Sequence, residues 1–199
     1  ISGNKIYQVG SNEYILRLKD DNTNLVDLKG KLVLPGFIET HMHLMMYGMD
    51  KMKLQLDGVK SIEEMINKGR EFIKDNNIPK GQWLIGVGWN QDYFNEKGII
   101  PNKYDLDKIS TDHPIAFYRT CYHIVATNSK AMDLSSIDEN TNQLPGGQID
   151  KNKDNKPIGV FREAAMGLLK VDQDELSLAE RKVIAKKVMA DLNSQGITT

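Results

Sequence analysis

Cysteine is almost missing from this chain: Cys121 is the only one in 199 residues. No internal disulfide can form, and a reducing, cytoplasmic compartment is the default expectation. Long apolar runs are missing too. No stretch approaches the roughly 20 apolar residues that a bilayer-spanning helix needs, and the longest apolar pieces are strand-sized. Neither sign of charge prevails, since 26 Lys and Arg against 27 Asp and Glu leave a formal net charge of -1. That balance, mixed along the chain, removes the electrostatic reason to expect nucleic acid. The one basic cluster, Arg181-Lys182 with Lys186-Lys187, falls at helical spacing and reads as a solvated helix face. The partner that remains is a small-molecule substrate, with no nucleic acid and no membrane. Finally, the chain starts with Ile1 rather than Met and stops abruptly at Gly196-Ile197-Thr198-Thr199, so it is expected to have been cut from something longer.

What is present alternates between strand-like and helix-like patterns. Lys5 to Gly10 and Tyr14 to Leu18 are short alternating pieces that predict small strands joined by turns such as Asp20-Asp21-Asn22. The apolar run from Lys31 to Ile38 is interrupted by Pro35-Gly36, which predicts one strand before Pro35 and a short buried one after Gly36. Ser61-Ile62-Glu63-Glu64 has the form of a capping box, and Ile62, Met65, Ile66, Phe72 and Ile73 then share one helical face. Trp83 to Val87 and Pro114 to Tyr118 read as strands around a turn-rich stretch, Gly88 to Thr111. An irregular segment that long is more often functional than idle.

Asn142 to Lys156 is a polar loop with a hairpin expected near Gly146-Gly147-Gln148-Ile149. A second capping box, Ser177 to Glu180, opens a helix with Leu178, Val183, Ile184, Val188 and Leu192 inward and Gly196 as its stop. Ile197 to Thr199 would begin another strand, which suggests a parallel sheet with helices outside.

The chemistry centres on His41-Met42-His43. Side chains at i and i+2 of a strand point to the same face, so both imidazoles can converge on one ion. Imidazole suits Zn, Fe, Ni or Mn, and an open metal position can activate water. The end of a parallel strand is also where barrel enzymes carry catalytic groups. The HxH string alone also occurs by accident, and its flanks carry the weight.

Those flanks resemble a known pattern. Leu32-Val33-Leu34-Pro35-Gly36-Phe37-Ile38-Glu39-Thr40-His41-Met42-His43-Leu44 is similar to the signature of the amidohydrolase superfamily, with Glu39-Thr40 a mild variation on the usual acidic-then-small pair. Further strings narrow the resemblance to amidohydrolase family 3, with its YtcJ-like and N-substituted formamide deformylase-like members. They are Gly86 to Gln91, His113-Pro114-Ile115, Arg119 to His123, Asn128 to Met132, Gly146 to Ile149 and Gly159 to Ala165. They run in the family's order across nearly the whole chain.

The resemblance implies an α/β fold: a partial metal-dependent-hydrolase (β/α)8 barrel preceded by part of a small β-sandwich and carrying a large α/β insertion. On that reading residues 1–34 are sandwich, 35–60 the first barrel strand with the ligand pair, 61–158 the insertion, and 159–199 the start of further barrel units. The implied cofactor is a divalent metal, one or two ions, with zinc the first expectation. The family's further ligands and its proton-shuttling aspartate come from later strands, beyond Thr199, so this chain is not expected to be active alone. The exposed edges of an incomplete barrel favour self-association as a homo-oligomer.

The remaining candidates keep two readings each. His123 is a substrate-binding, catalytic or metal-supporting group, or a structural histidine at a strand end. Glu163 is a catalytic carboxylate and metal ligand, or an acidic residue favoured at a helix N-terminus. Trp89 and Asn90 are placed to line a substrate cleft, although Trp89 equally fits simple packing. Arg119 and Arg162 could hold a substrate carboxylate, with a structural ion pair as the alternative for each, and Asn128 follows in the pocket pattern. Cys121 is read as buried and inert, and His113 as a turn residue. The implied reaction is hydrolysis of an amide or related C–N bond through metal-activated water. An HxH-type metal phosphoesterase and a non-catalytic metal- or ligand-binding module are the alternatives.

Overall fold

The computed structural model describes residues 1–171 and 176–199. Its elements in chain order are α1 (Asn12–Leu16), α2 (Leu44–Asp50), β1 (Leu54–Gln55), α3 (Ile62–Asp75), β2 (Leu84–Trp89), α4 (Lys103–Leu106), β3 (Ile115–Arg119), β4 (Ile124–Thr127), α5 (Ser129–Leu134), β5 (Gly147–Lys151), β6 (Pro157–Glu163) and α6 (Leu178–Ser194). Single 3-10 turns follow β2 and β6.

The six strands form one sheet in the order β1-β2-β3-β4-β6-β5. β1, β2 and β3 run parallel, whereas β4, β6 and β5 are joined antiparallel. The sheet is therefore mixed and not the all-parallel arrangement the alternation suggested. The reason is local: a four-residue turn, 120–123, joins β3 to β4, and 152–156 joins β5 to β6, and connections that short can only make hairpins. The hairpin expected at Gly146–Ile149 forms as β5 against β6. The expected division at 158/159 falls inside β6, which shares this sheet with the strands of the expected insertion.

α3 forms where its pattern predicts. Ser61 accepts from the Glu64 amide at 3.1 Å, and the Glu64 carboxylate reaches back to the Lys60 amide at 2.7 Å. Met65 and Ile66 are buried, with Ile62, Phe72 and Ile73 packed around the cluster of Leu56, Leu84, Trp89, Leu106, Ile115 and Phe117. A second cluster, built on Val125, Met132, Ile149 and Phe161, fills the other side of the sheet.

The first forty residues depart from expectation. Tyr14 to Leu18 is not a strand: Ser11 caps the short helix α1 instead. Lys5 to Gly10 forms no strand beyond an isolated Ser2–Lys5 bridge, and no strand precedes Pro35. Leu32, Val33, Leu34 and Ile38 stay exposed, because no described layer packs on them. A strand needs a partner for its ladder and an apolar face to bury, and this segment is offered neither among the described residues.

After Gly36 the partner exists. Phe37 pairs in parallel with Ile197, with Phe37 N–H donating to Gly196 at 2.7 Å and Glu39 N–H to Thr199 at 2.8 Å. Gly36 makes that approach feasible: a Cβ there would lie 2.3 Å from the Thr198 hydroxyl oxygen. α6 carries the expected capping box between Ser177 and Glu180 and stops before Gly196. It buries Ile184 and Val188 against α2 but leaves Leu178 and Val183 exposed, against the inward reading of all five apolar positions.

Candidate functional site

The sheet gathers most of the chemistry-bearing side chains along one edge. The carboxyl ends of β1, β2 and β3 lie beside the start of β4, the end of β6 and the start of β5, as the pairs Gln55–Val87, Trp89–Arg119, Ile124–Arg162 and Gly147–Glu163 fix. Ligand sites in α/β sheets form outside the carboxyl ends of parallel strands. Residues 57, 90–92, 119–123 and 163 all fall on this edge.

At its antiparallel end is an open cleft of about 400 Å³, lined by Cys121, His123, Ile124, Gly146, Gly147, Gln148, Arg162 and Glu163. His123 Nδ1 and Glu163 Oε2 are 2.7 Å apart, and Glu163 N–H donates to the His123 carbonyl at 3.0 Å. The hydrogen bond and charge of Glu163 raise the His123 pKa above its ordinary value. Glu163 has φ 50° and Tyr122, next to His123, has φ 60°. Left-handed backbone costs an L-residue of this kind roughly 1 kcal/mol or more, and such strain concentrates at functional sites. Cys121 lines the same cleft half-exposed, not buried in the core as expected. Burial pushes its thiol up, but the Arg119 guanidinium and the His123 amide outweigh that, and the net direction is down.

All four expected substrate contacts are occupied within the fold. Asn128 is fully buried: its Oδ1 accepts from the Ile115 and Ala131 amides at 3.0 Å each, and its Nδ2 donates to the Ser110 and His113 carbonyls at 2.9 Å each. It has no donor or acceptor left for a substrate. Trp89 is also fully buried, its Nε1 donating to the Phe117 carbonyl at 2.8 Å, so packing is its role. Arg119 donates to Gln91 Oε1 at 2.8 Å and to Asn90 Oδ1 at 2.9 Å, and pairs with Asp92 at 3.3 Å. Arg119 and Asn90 therefore fasten the loop after β2. Arg162 is spent likewise on Asp150, at 2.7 Å. His113 lies in a bend, as its reading as a turn residue expects, with its side chain buried between Ser110 and Ile78.

His41 and His43 lie apart from this cleft set. Both are exposed, just before α2, and not at the end of a buried strand. Their rings stand edge to face with centroids 5.6 Å apart. With metal–nitrogen distances of about 2.0–2.1 Å, two imidazoles sharing an ion have centroids roughly 5 Å apart, and the separation of the two rings is of that order. Glu39 Oε1 accepts from the His41 amide at 2.9 Å and tightens the approach. Among the described residues no group of three or more His, Cys, Asp and Glu is arranged to hold a metal. Glu163, expected as a third ligand, is instead engaged with His123.

The sequence reading missed Asp50 and Tyr122. The Tyr122 hydroxyl donates to Asp50 Oδ2, and Lys53 binds Oδ1 of the same carboxylate at 2.7 Å. Burial, then Asp50, push the Tyr122 phenol well above its ordinary range, so it stays a donor. No local spacing announces a contact between residues 72 positions apart.

Residues 24–199 match the sequence profile of the amidohydrolase family. The chain belongs to that family. This amidohydrolase chain is 33% identical to YtcJ of Bacillus subtilis (strain 168) over 147 residues, covering 74% of this chain and 27% of that protein. It is 29% identical to the N-substituted formamide deformylase of Arthrobacter pascens over 171 residues, covering 85% of this chain and 31% of the relative. These matches put it in family 3 of the amidohydrolases. The crystal structure of an uncharacterized metal-dependent hydrolase from Pyrococcus furiosus aligns over 99% of this chain and 38% of its own, with 30% identity and a TM-score of 0.54. The amidohydrolase chain thus spans between about a quarter and two fifths of these relatives' lengths. No described helix is long and apolar enough to cross a membrane.

Proposed function

We propose that the chain carries the first two metal ligands, His41 and His43, of a hydrolase that cleaves an amide or related C–N bond. The observation that carries this reading is the edge-to-face pair of rings 5.6 Å apart, directly after the Leu34-Pro35-Gly36-Phe37 string of an amidohydrolase. Family membership and a structural neighbour described as a metal-dependent hydrolase support it, and the name N-substituted formamide deformylase supports a C–N bond. The cofactor in this reading is a divalent cation, with zinc first, since imidazole nitrogen is a borderline-soft ligand. When bound, the ion supplies Lewis-acid polarisation of a carbonyl and water of lowered pKa.

The chain's own groups have narrower tasks. Glu39 and the Phe37–Ile197 pairing hold the backbone that presents the two imidazoles. Glu163 holds Nδ1 of His123 and favours its charged form, which leaves Nε2 as the ring's remaining donor toward a substrate oxygen. Ligands and a proton carrier from outside these residues complete the site, so the chain alone is inactive in this reading. A cytosolic location agrees with a single free cysteine. Self-association through the exposed apolar segment at 32–38 belongs to the same account.

The test is a hydrolysis assay on the complete protein with N-formyl and N-acyl amines beside phosphate esters, before and after a chelator. Chelator-sensitive release of amine is expected. Turnover of phosphate esters alone would replace this reading with a phosphoesterase, and no turnover of either, with the metal retained, would replace it with a binding module.

A further inference from the structure

The two candidate clusters, the His41–His43 pair and the His123–Glu163 pair, are joined by one hydrogen bond. His43 occupies the N-cap position of α2, and seven residues later α2 ends at Asp50. The Asp50 carboxylate receives the Tyr122 hydroxyl, and Tyr122 immediately precedes His123. Tyr122 is set for this reach. Its ring stacks on Tyr118 of β3, with centroids 6.2 Å apart and planes at 26°, and its backbone is held at φ 60°. Tyr122 N–H donates to the Arg119 carbonyl at 2.8 Å, which closes the turn. Both Asp50 carboxylate oxygens are engaged, by Tyr122 and by Lys53, so the carboxylate has little freedom to drift. The seven-residue helix α2 thus lies between the histidine pair and a carboxylate held at its far end, and Tyr47 midway along it donates to Asp191 of α6 at 2.6 Å.

We propose that Tyr122 is a positioning residue that fixes the β3–β4 turn against α2, and so holds the histidine pair in place relative to the His123–Glu163 cleft. The proposal deepens the functional reading above and rests on it. The hydroxyl carries the coupling, while the ring belongs to packing on Tyr118.

Three variants separate these roles in the complete protein. Tyr122→Phe keeps the stacked ring and removes only the hydroxyl; Asp50→Ala removes the acceptor; Asp50→Asn keeps an acceptor oxygen. Zinc affinity is measured by calorimetry, and the His41 and His43 ring signals of the metal-free chain are followed by NMR. Tyr122→Phe and Asp50→Ala are expected to weaken zinc binding about five- to tenfold, in line with one lost hydrogen bond, and to shift both ring signals before metal is added. Asp50→Asn is expected to restore most of the affinity. Unchanged affinity and unchanged ring signals in Tyr122→Phe, with the wild type binding zinc, would overturn the coupling alone. A wild type that binds no zinc would overturn the functional reading and the coupling together.

Discussion

His123 and Asn128 are five positions apart, and the structure gives them opposite work. Asn128 has four hydrogen bonds inside the fold, two from backbone amides of different elements and two to carbonyls, so it holds the start of β3 to the start of α5. Asn128→Ala would orphan buried backbone groups and is expected to cost about 3 kcal/mol, read as a lowered midpoint in urea unfolding. A shift under about 1 kcal/mol would contradict its structural role. His123 is on the surface and owes its raised pKa to Glu163. A folded pKa above the unfolded one means that this pair's stabilisation is present while the imidazole is protonated and fades as pH rises through the folded value. In an NMR titration Glu163→Gln should lower the His123 midpoint toward its ordinary value, whereas an unmoved midpoint would mean the carboxylate is not its partner. Neither role was settled by residue type: a polar residue in a motif is equally a ligand and a strut until its partners are seen.

At the scale of elements, the parts legible in the sequence are those whose burial is local. α3 announced itself by Ser61, Glu64 and an apolar face at helical spacing, and β2 and β3 by short apolar runs between turns. The antiparallel half of the sheet was harder, because parallel and antiparallel strands share a composition and differ only in how they are connected. The strands expected at 5–10 and 14–18 failed since alternation is only an offer of a face, and nothing described accepts it. The join of α2 to α6 was equally invisible, for it depends on Gly48. A Cβ there would stand 2.4 Å from Ile184 Cγ2 and 2.6 Å from Val188 Cγ2. Gly48→Val is therefore expected to cost about 1–3 kcal/mol by overpacking. Amide hydrogen exchange should show protection lost across Leu44–Asp50 and kept in α3, and equal protection in α2 would contradict the close contact.

The whole molecule is a well-packed mixed sheet with an apolar leader laid outside it. Leu32, Val33, Leu34 and Ile38 expose more than half of their surface, and a contiguous exposed apolar segment favours association. Sedimentation should show concentration-dependent self-association that Leu32→Asp with Ile38→Asp reduces; a monomer at all concentrations would contradict this. The catalytic account needs the same leader, since its end presents the two histidines. That claim is tested most directly by the divalent metal bound by the complete protein, measured after dialysis in wild type, His41→Ala and His43→Ala. The account predicts metal in the wild type and at least a tenfold weaker hold in each variant, with the fold unchanged by circular dichroism. Equal metal content in all three proteins would contradict it.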